Sequence, residues 1–383
     1  MTHFGGEKTG DFFGVYEHYS GTVDMKIGLI VDPYGEKAPG GLGRATFELA
    51  KNIIAMGTNH TFTVYVKSLP REKPEFPGSH WSLRSLNSRY ILLTGARNID
   101  PNLDLYIFFS PIIPLFLYPK KSIVVALDFA YLDTPQRSLK MYLRGKLLYR
   151  AHRHSLRSAS KIIAISEDTA QSVMAHFGIS RKKIEVVHIG YMPLPAEQKA
   201  FTTPGKFFLF AGVMKERKNV AGVIRAFALF CQVEPSGYHL LLAGKQNGEY
   251  YDSLVTLVKE LDLTARVTFL GYVSDAELAN LYSKAEALVF PSFIEGFGMP
   301  VLEAMHAGLP VITSNVGALA EVAGDAALLV DPKNPEDIAA AMRRLTGDNG
   351  LRRELVKKGR VRASQFSWKE TARLFLKIIE TLR

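Results

Sequence analysis

Residues 287–314 read ALVFPSFIEGFGMPVLEAMHAGLPVITS, and their pattern decides the fold. An apolar run of strand length, ALVFPS, gives way to a turn containing Gly296 and Gly298. Residues 298–307 then carry a helical period, and PVITS resumes a short apolar run after Gly308. Apolar runs without polar alternation belong to strands buried on both faces. The same alternation extends upstream: FFLFAG at 207–212, a helix from Asn219, HLLLAG at 239–244, a helix over 248–262, VTFLGY at 267–272 and a helix over 274–285. Strand and helix in strict alternation predict a parallel sheet covered on both faces. Downstream, 351–383 reads as two helices broken near Ser367. The last carries Leu374, Phe375, Ile378, Ile379 and Leu382 on one side and needs a surface to cover.

A Pro-rich break, MPLPAEQKAFTTPG at 192–205, separates this unit from an earlier one. There the pattern predicts strands at 26–31, 62–66, 90–94, 103–109, 121–127, 161–165 and 184–189, and helices near 43–56, 136–157 and 167–177. The expected organisation is therefore an extension over 1–24, a first Rossmann-like domain over 25–195, a second over 205–366, and a final helix over 367–383 that packs back across the junction. Two such sheets leave a cleft between the carboxyl ends of their strands, where ligands bind.

The chain has 383 residues, 47% apolar and 22% charged, which fits an ordered two-domain protein. The lone Cys231, in the apolar stretch RAFALFCQ, reads as a core residue rather than a nucleophile. The longest apolar candidate, 106–119, is too short to span a bilayer and is broken by prolines. With no basic and apolar leader at the start, a cytoplasmic protein is expected.

The net charge of +10 is uneven. Residues 1–200 hold 25 Lys/Arg against 17 Asp/Glu, and residues 201–383 hold 22 against 20. Such a field attracts anionic acceptors, membrane surfaces or nucleic acid without choosing among them. Residues 134–161 hold eight Lys/Arg and no acid, with Tyr142, Leu148, Tyr149 and Leu156 interleaved. A solvated face is the plain reading; a peripheral contact with anionic lipid on the inner face of a membrane is the sharper one. No nucleic-acid reading module accompanies the basic run.

Three places suit a sugar nucleotide. Glu295 lies in the glycine-flanked turn and Glu303 in the helix that follows, where backbone N–H groups meet anions and carboxylates accept hydrogen bonds from vicinal hydroxyls. In FAGVMKERKNV, 210–220, Arg217 and Lys218 stand just ahead of Asn219, read here as an N-cap, so two cations meet a helix amino end, and diphosphate is the natural ligand. In PYGEKAPGGLGRATFELAKNI, 33–53, Gly40, Gly41 and Gly43 form a loop between strand and helix; alone it is a weak signal. There is no Asp-x-Asp and no metal-ligand spacing of His, so no catalytic metal is expected.

EGFGMPVLEAMHAGLPVI resembles the signature of the family 4 (group 1) glycosyltransferases, which have the two-lobed GT-B fold. The resemblance runs from about Met25 to the end. It implies retaining transfer of a hexose, of mannose or glucose type, from a nucleotide diphosphate sugar such as GDP- or UDP-hexose to a glycan or lipid-linked acceptor, in polysaccharide or glycoconjugate biosynthesis. Residue by residue, it implies that Glu295 meets the donor sugar hydroxyls, that Phe297, Gly298 and Met299 lie against sugar and phosphate, and that Glu303 binds the ribose. It implies that Arg217 and Lys218 bind the diphosphate, and that Gly41, Gly43, Gly212 and Gly244 lie at the donor, with Arg44 facing the cleft. Two departures stand out. Val213 follows Gly212 where many members have Arg. Leu127 precedes Asp128 where many have His, so either Asp128 alone serves the acceptor side or the protein is impaired. The alternatives are a nucleotide-sugar epimerase of the same architecture and a non-catalytic sugar-nucleotide-binding protein.

Overall fold

The computed structural model of the protein describes residues 24–31, 41–56, 58–68, 76–78, 80–87, 91–133, 138–195, 199, 201–234, 237–246 and 248–383. The extension expected over 1–24 falls almost wholly outside the described residues, as does most of the glycine-rich loop at 33–43.

The first domain is built from β1 (Lys26–Val31), α1 (Gly41–Ala55), β2 (Thr61–Val66), β3 (Trp81–Ser85), α2 (Ile91–Thr94), β4 (Leu105–Phe108), β5 (Ser122–Ala126), α3 (Leu139–Ser158), β6 (Lys161–Ala164), α4 (Glu167–Phe177) and β7 (Ile184–Val186). Its seven strands are ordered β3-β2-β1-β4-β5-β6-β7, all parallel. Strands β2 and β5 are buried along their whole length, as strands covered on both faces are.

The second domain contains β8 (Lys206–Ala211), α5 (Val220–Val233), β9 (Tyr238–Ala243), α6 (Glu249–Glu260), β10 (Val267–Gly271), α7 (Asp275–Lys284), β11 (Ala287–Phe290), α8 (Met299–Ala307), β12 (Val311–Ser314), α9 (Gly317–Ala323), β13 (Leu328–Val330), α10 (Pro335–Gly347) and α11 (Asn349–Ser364). Its strand order is β10-β9-β8-β11-β12-β13, again all parallel.

The last helix, α12 (Trp368–Glu380), lies on the first domain. Phe375 stacks on Phe109 with centroids 6.5 Å apart, Thr371 donates to the His188 carbonyl at 2.9 Å, and Glu380 meets His60 Nε2 at 3.0 Å. Its apolar stripe thereby finds the cover that an amphipathic helix requires.

In the first domain two elements differ from expectation. The run ILLT forms the short helix α2 rather than a strand over 90–94, because four apolar residues carry no period that separates the two. WSLRS forms the edge strand β3, which a five-residue segment with three polar positions did not announce. The helix expected from 136 is described from Ser138, whose hydroxyl accepts the Met141 N–H as an N-cap.

Candidate active site

In the second sheet the strand order reverses between β8 and β11, so the loops leaving their carboxyl ends diverge and open a crevice. Both basic and acidic groups of the site sit on these two loops. After β8 a 3-10 turn, Glu216–Lys218, carries the cations, and the turn after β11 carries Glu295.

Lys218 Nζ lies 2.6 Å from Glu295 Oε1, and Arg217 Nη1 lies 3.0 Å from Oε2. The geometry is held from behind. Arg217 also donates to the Ile294 carbonyl at 2.8 Å, its own carbonyl accepts the Phe293 N–H at 2.8 Å, and Ser292 donates to Glu295 Oε1 at 3.2 Å. Lys218 lies 4.6 Å above the Phe290 ring. From the first domain, Asp128 at the end of β5 approaches Arg217 Nη2 to 3.8 Å.

Asn219 is not the side-chain N-cap expected. It takes a left-handed conformation, φ 55°, whereas a capping residue is extended, and its amide instead donates to the carbonyls of Pro291 at 3.1 Å and Pro332 at 2.5 Å. The asparagine thus ties the cationic turn to the loops after β11 and β13.

The Lys218 and Glu295 side chains are only 12% and 11% exposed, so their charges are costly unless paired. Burial alone raises the Glu295 pKa, but the attraction of Lys218 and Arg217 outweighs it and holds the carboxyl below its usual range. Burial pushes the Lys218 ammonium down despite Glu295. Glu303, one turn into α8, is different. Burial raises its carboxyl to about 7, with Asp275 adding to the effect and Arg44 opposing it, and among the described residues it makes no hydrogen bond. Arg44, on α1, pairs with Asp275 on α7 at 2.9 Å, bridging the domains beside Glu303.

The glycines fall where backbone meets backbone. A side chain on Gly296 would collide with the Leu127 carbonyl and come within 2.8 Å of Asp128 Cβ, so only glycine lets this turn reach the first domain. Gly298, φ +111°, begins α8 and has Leu319 against it. Gly212 and Gly244 end β8 and β9, the Gly212 carbonyl occupying the space a Gly244 side chain would need. Gly41 and Gly43 open α1. The Phe297 ring is buried between His188 and Phe366, and Met299 is the first residue of α8. Leu127 is buried in the core and offers the cleft no polar side chain.

Several contributing residues gave no sequence signal. Ser166 and Thr169 of α4 donate to the Gly296 carbonyl at 2.9 and 3.4 Å. Glu321 of α9 accepts the N–H groups of Glu167 and Asp168, which begin α4, and meets His188 Nε2 at 2.6 Å. The Asp168 carboxylate in turn lies at the start of α9, beside Gly317. Glu321 of the second domain thus caps a helix of the first. Between α4 and the 292–296 turn lies a cleft of about 380 Å³ that ends at Asp128 and Glu295.

Among known proteins, residues 39–191 match the family described as Glycosyltransferase Family 4, and residues 195–362 match Glycosyl transferases group 1. The chain is 29% identical to O-antigen chain mannosyltransferase B of Escherichia coli over 90% of its length and 96% of that protein's. It is 32% identical to O-antigen chain mannosyltransferase RfbU of Salmonella typhimurium, over 54% and 55% of the two lengths. Its fold is that of sucrose-phosphate synthase from Thermosynechococcus elongatus, with a TM-score of 0.72, 21% identity, and coverage of 94% and 99% of the two chains. The Anabaena protein HepE, solved with UDP and glucose, shares the fold at a TM-score of 0.71 and 17% identity, over 93% and 100%.

Proposed function

The chain belongs to the family 4 (group 1) glycosyltransferases of GT-B fold, and from that premise we propose that it transfers a hexose, of mannose or glucose type, from a nucleoside diphosphate sugar to a glycan or lipid-linked acceptor with retention at the anomeric carbon. The second domain takes the donor, and the first the acceptor. The observation that carries this reading is the clamp of Arg217 and Lys218 on Glu295 at the strand-order reversal. Two cations and one carboxylate, all largely out of water, have the charge and position to exchange partners: the diphosphate takes the cations, and Glu295 turns to the hydroxyls of the sugar.

Arg217 and Lys218 then hold the leaving diphosphate as negative charge grows on it and positive charge grows on the sugar. The acceptor hydroxyl attacks the anomeric carbon from the leaving-group face, and its proton passes to a phosphate oxygen. Glu303 accepts the ribose hydroxyls. Phe297, Gly298 and Met299 offer N–H groups at the start of α8, while Gly41, Gly43, Gly212 and Gly244 give the donor close approach to backbone. Asp128 serves the acceptor side. Side chains supply the neutralising charge, so the reaction proceeds without a divalent metal and survives EDTA.

The names of the O-antigen relatives favour mannose and polysaccharide biosynthesis. The test is incubation with GDP-mannose and with UDP-glucose, each with an oligosaccharide acceptor, followed by NMR of the product. Retained anomeric configuration is expected. An inverted anomer, or epimerised donor without transfer, overturns the reading.

A peripheral membrane contact belongs to the same proposal and rests on α3. Leu139, Leu143 and Leu147 recur every fourth residue and are exposed, with Lys140, Arg144, Lys146 and Arg150 beside them and no acid in the helix.

A further inference from the structure

The cleft between α4 and the 292–296 turn has a lining that speaks to the acceptor. One side of α4, with Thr169, Ala170, Val173 and Phe177, is buried in the first domain. The other presents Asp168, Gln171, Ser172 and His176 to the cleft, at the spacing of a single helix face. Opposite them the Phe293 ring is 40% exposed and stacks on no other ring among the described residues. An uncovered aromatic ring facing an amide, a hydroxyl and carboxylates has the mixed character of a pyranose, whose C–H face is apolar and whose rim is hydroxyl.

The charges are one-sided. Asp128, Asp133, Asp168 and Glu295 all line the cleft, and among the described residues no Lys or Arg does so; among them His176, 3.7 Å from Asp133, is its one basic side chain. Arg217 approaches Asp128 and Glu295 but is not among the residues that line the cleft. Among the described residues, the basic excess of the N-terminal half therefore does not extend into this cleft.

We propose that this cleft seats the terminal sugar of the acceptor, that this sugar is uncharged, with Phe293 as its stacking platform and Gln171 and Ser172 as hydroxyl partners, and that the surrounding carboxylates reject a terminal uronate or sugar phosphate. The inference rests on the transferase reading, since the cleft ends at Glu295 and Asp128. Repulsion of this kind sets specificity by weakening the wrong ligand rather than by tightening the right one.

The experiment compares initial rates on a neutral oligosaccharide and on the same oligosaccharide ending in a uronate or a 6-phosphate. The wild-type enzyme is expected to favour the neutral one by about tenfold or more in kcat/KM. Phe293→Ala raises the KM for the neutral acceptor by about tenfold, while the Kd for the nucleoside diphosphate, read by calorimetry, moves by less than about twofold. Gln171→Arg narrows the gap between neutral and anionic acceptors. Equal use of anionic and neutral acceptors by the wild type, or an unchanged acceptor KM in Phe293→Ala, overturns the inference and leaves the transferase reading standing. A wild-type protein that binds no nucleoside diphosphate overturns both.

Discussion

At Glu303 burial works against the charge. The carboxyl titrates at about 7 rather than 4.5, so the folded protein binds its proton more tightly than the unfolded chain does. Stability is accordingly lost as pH rises from about 4.5 through about 7, by at most about 3 kcal/mol. Glu303→Gln is expected to raise Tm by several degrees at pH 8 and to leave it unchanged at pH 4, measured by scanning calorimetry. If the ionised carboxylate accepts ribose hydroxyls, nucleoside diphosphate affinity increases between pH 6 and pH 8 in the wild type more than in the variant. The Lys218–Glu295 pair gives a second prediction: Glu295→Ala strands the buried Lys218 charge and destabilises by roughly 3–5 kcal/mol, Lys218→Ala costs less because Arg217 still pairs with Glu295, and the double variant costs less than the sum of the two. Thermal melts of the three variants check this. The residue types at these positions, though not their arrangement, were legible in the sequence. Cations before Asn219 and a carboxylate beside Gly296 suggested an anion site, but not that Glu295 lies against both cations in the unliganded protein. Asn219 misled because a good capping residue is recognised by type, while capping itself depends on φ.

Among the elements, the 292–298 turn and α3 are the ones whose behaviour the account specifies. Gly296→Ala places a side chain against the Leu127 carbonyl, so the turn must withdraw from the first domain. Activity is expected to fall by about a hundredfold or more as Glu295 shifts, since small misplacements at a reacting centre cost rate on this scale. Far-ultraviolet circular dichroism of the variant stays unchanged. For α3, sedimentation with vesicles containing anionic lipid at low salt should carry the wild type down. Leu143→Glu/Leu147→Glu should stay in the supernatant, and wild-type protein that does not sediment removes the membrane contact. Element reading succeeded where the period was long or the apolar run pure, as along β8, β9 and α4. It failed at α2 and β3, where four or five residues hold too little pattern for helix and strand to be told apart.

Over the whole molecule, two parallel sheets face one another across contacts that no local pattern encodes. Glu321 caps α4, Asp168 lies at the start of α9, and Ser166 holds the Gly296 carbonyl. In the sequence Glu321 looks like an ordinary solvated charge, because its partner is 154 residues away. Glu321→Ala removes the acceptor for three contacts at once and is expected to loosen the domain junction. Small-angle scattering should then show a larger radius of gyration than the wild type, and an unchanged radius counts against Glu321 as a tie between the domains. The α12 packing was partly foreshadowed by its apolar stripe, but the surface it covers was set by Phe109 and His188 in the other domain. The claim on which the rest depends is that Arg217, Lys218 and Glu295 form the receptor for a nucleoside diphosphate. Isothermal titration of the wild type and of Arg217→Ala and Lys218→Ala with GDP, UDP and ADP tests it most directly. The account predicts one-to-one binding of at least one of these nucleotides by the wild type, weakened about tenfold or more in each variant; equal affinity in wild type and variants, or no binding of any of the three, would contradict it.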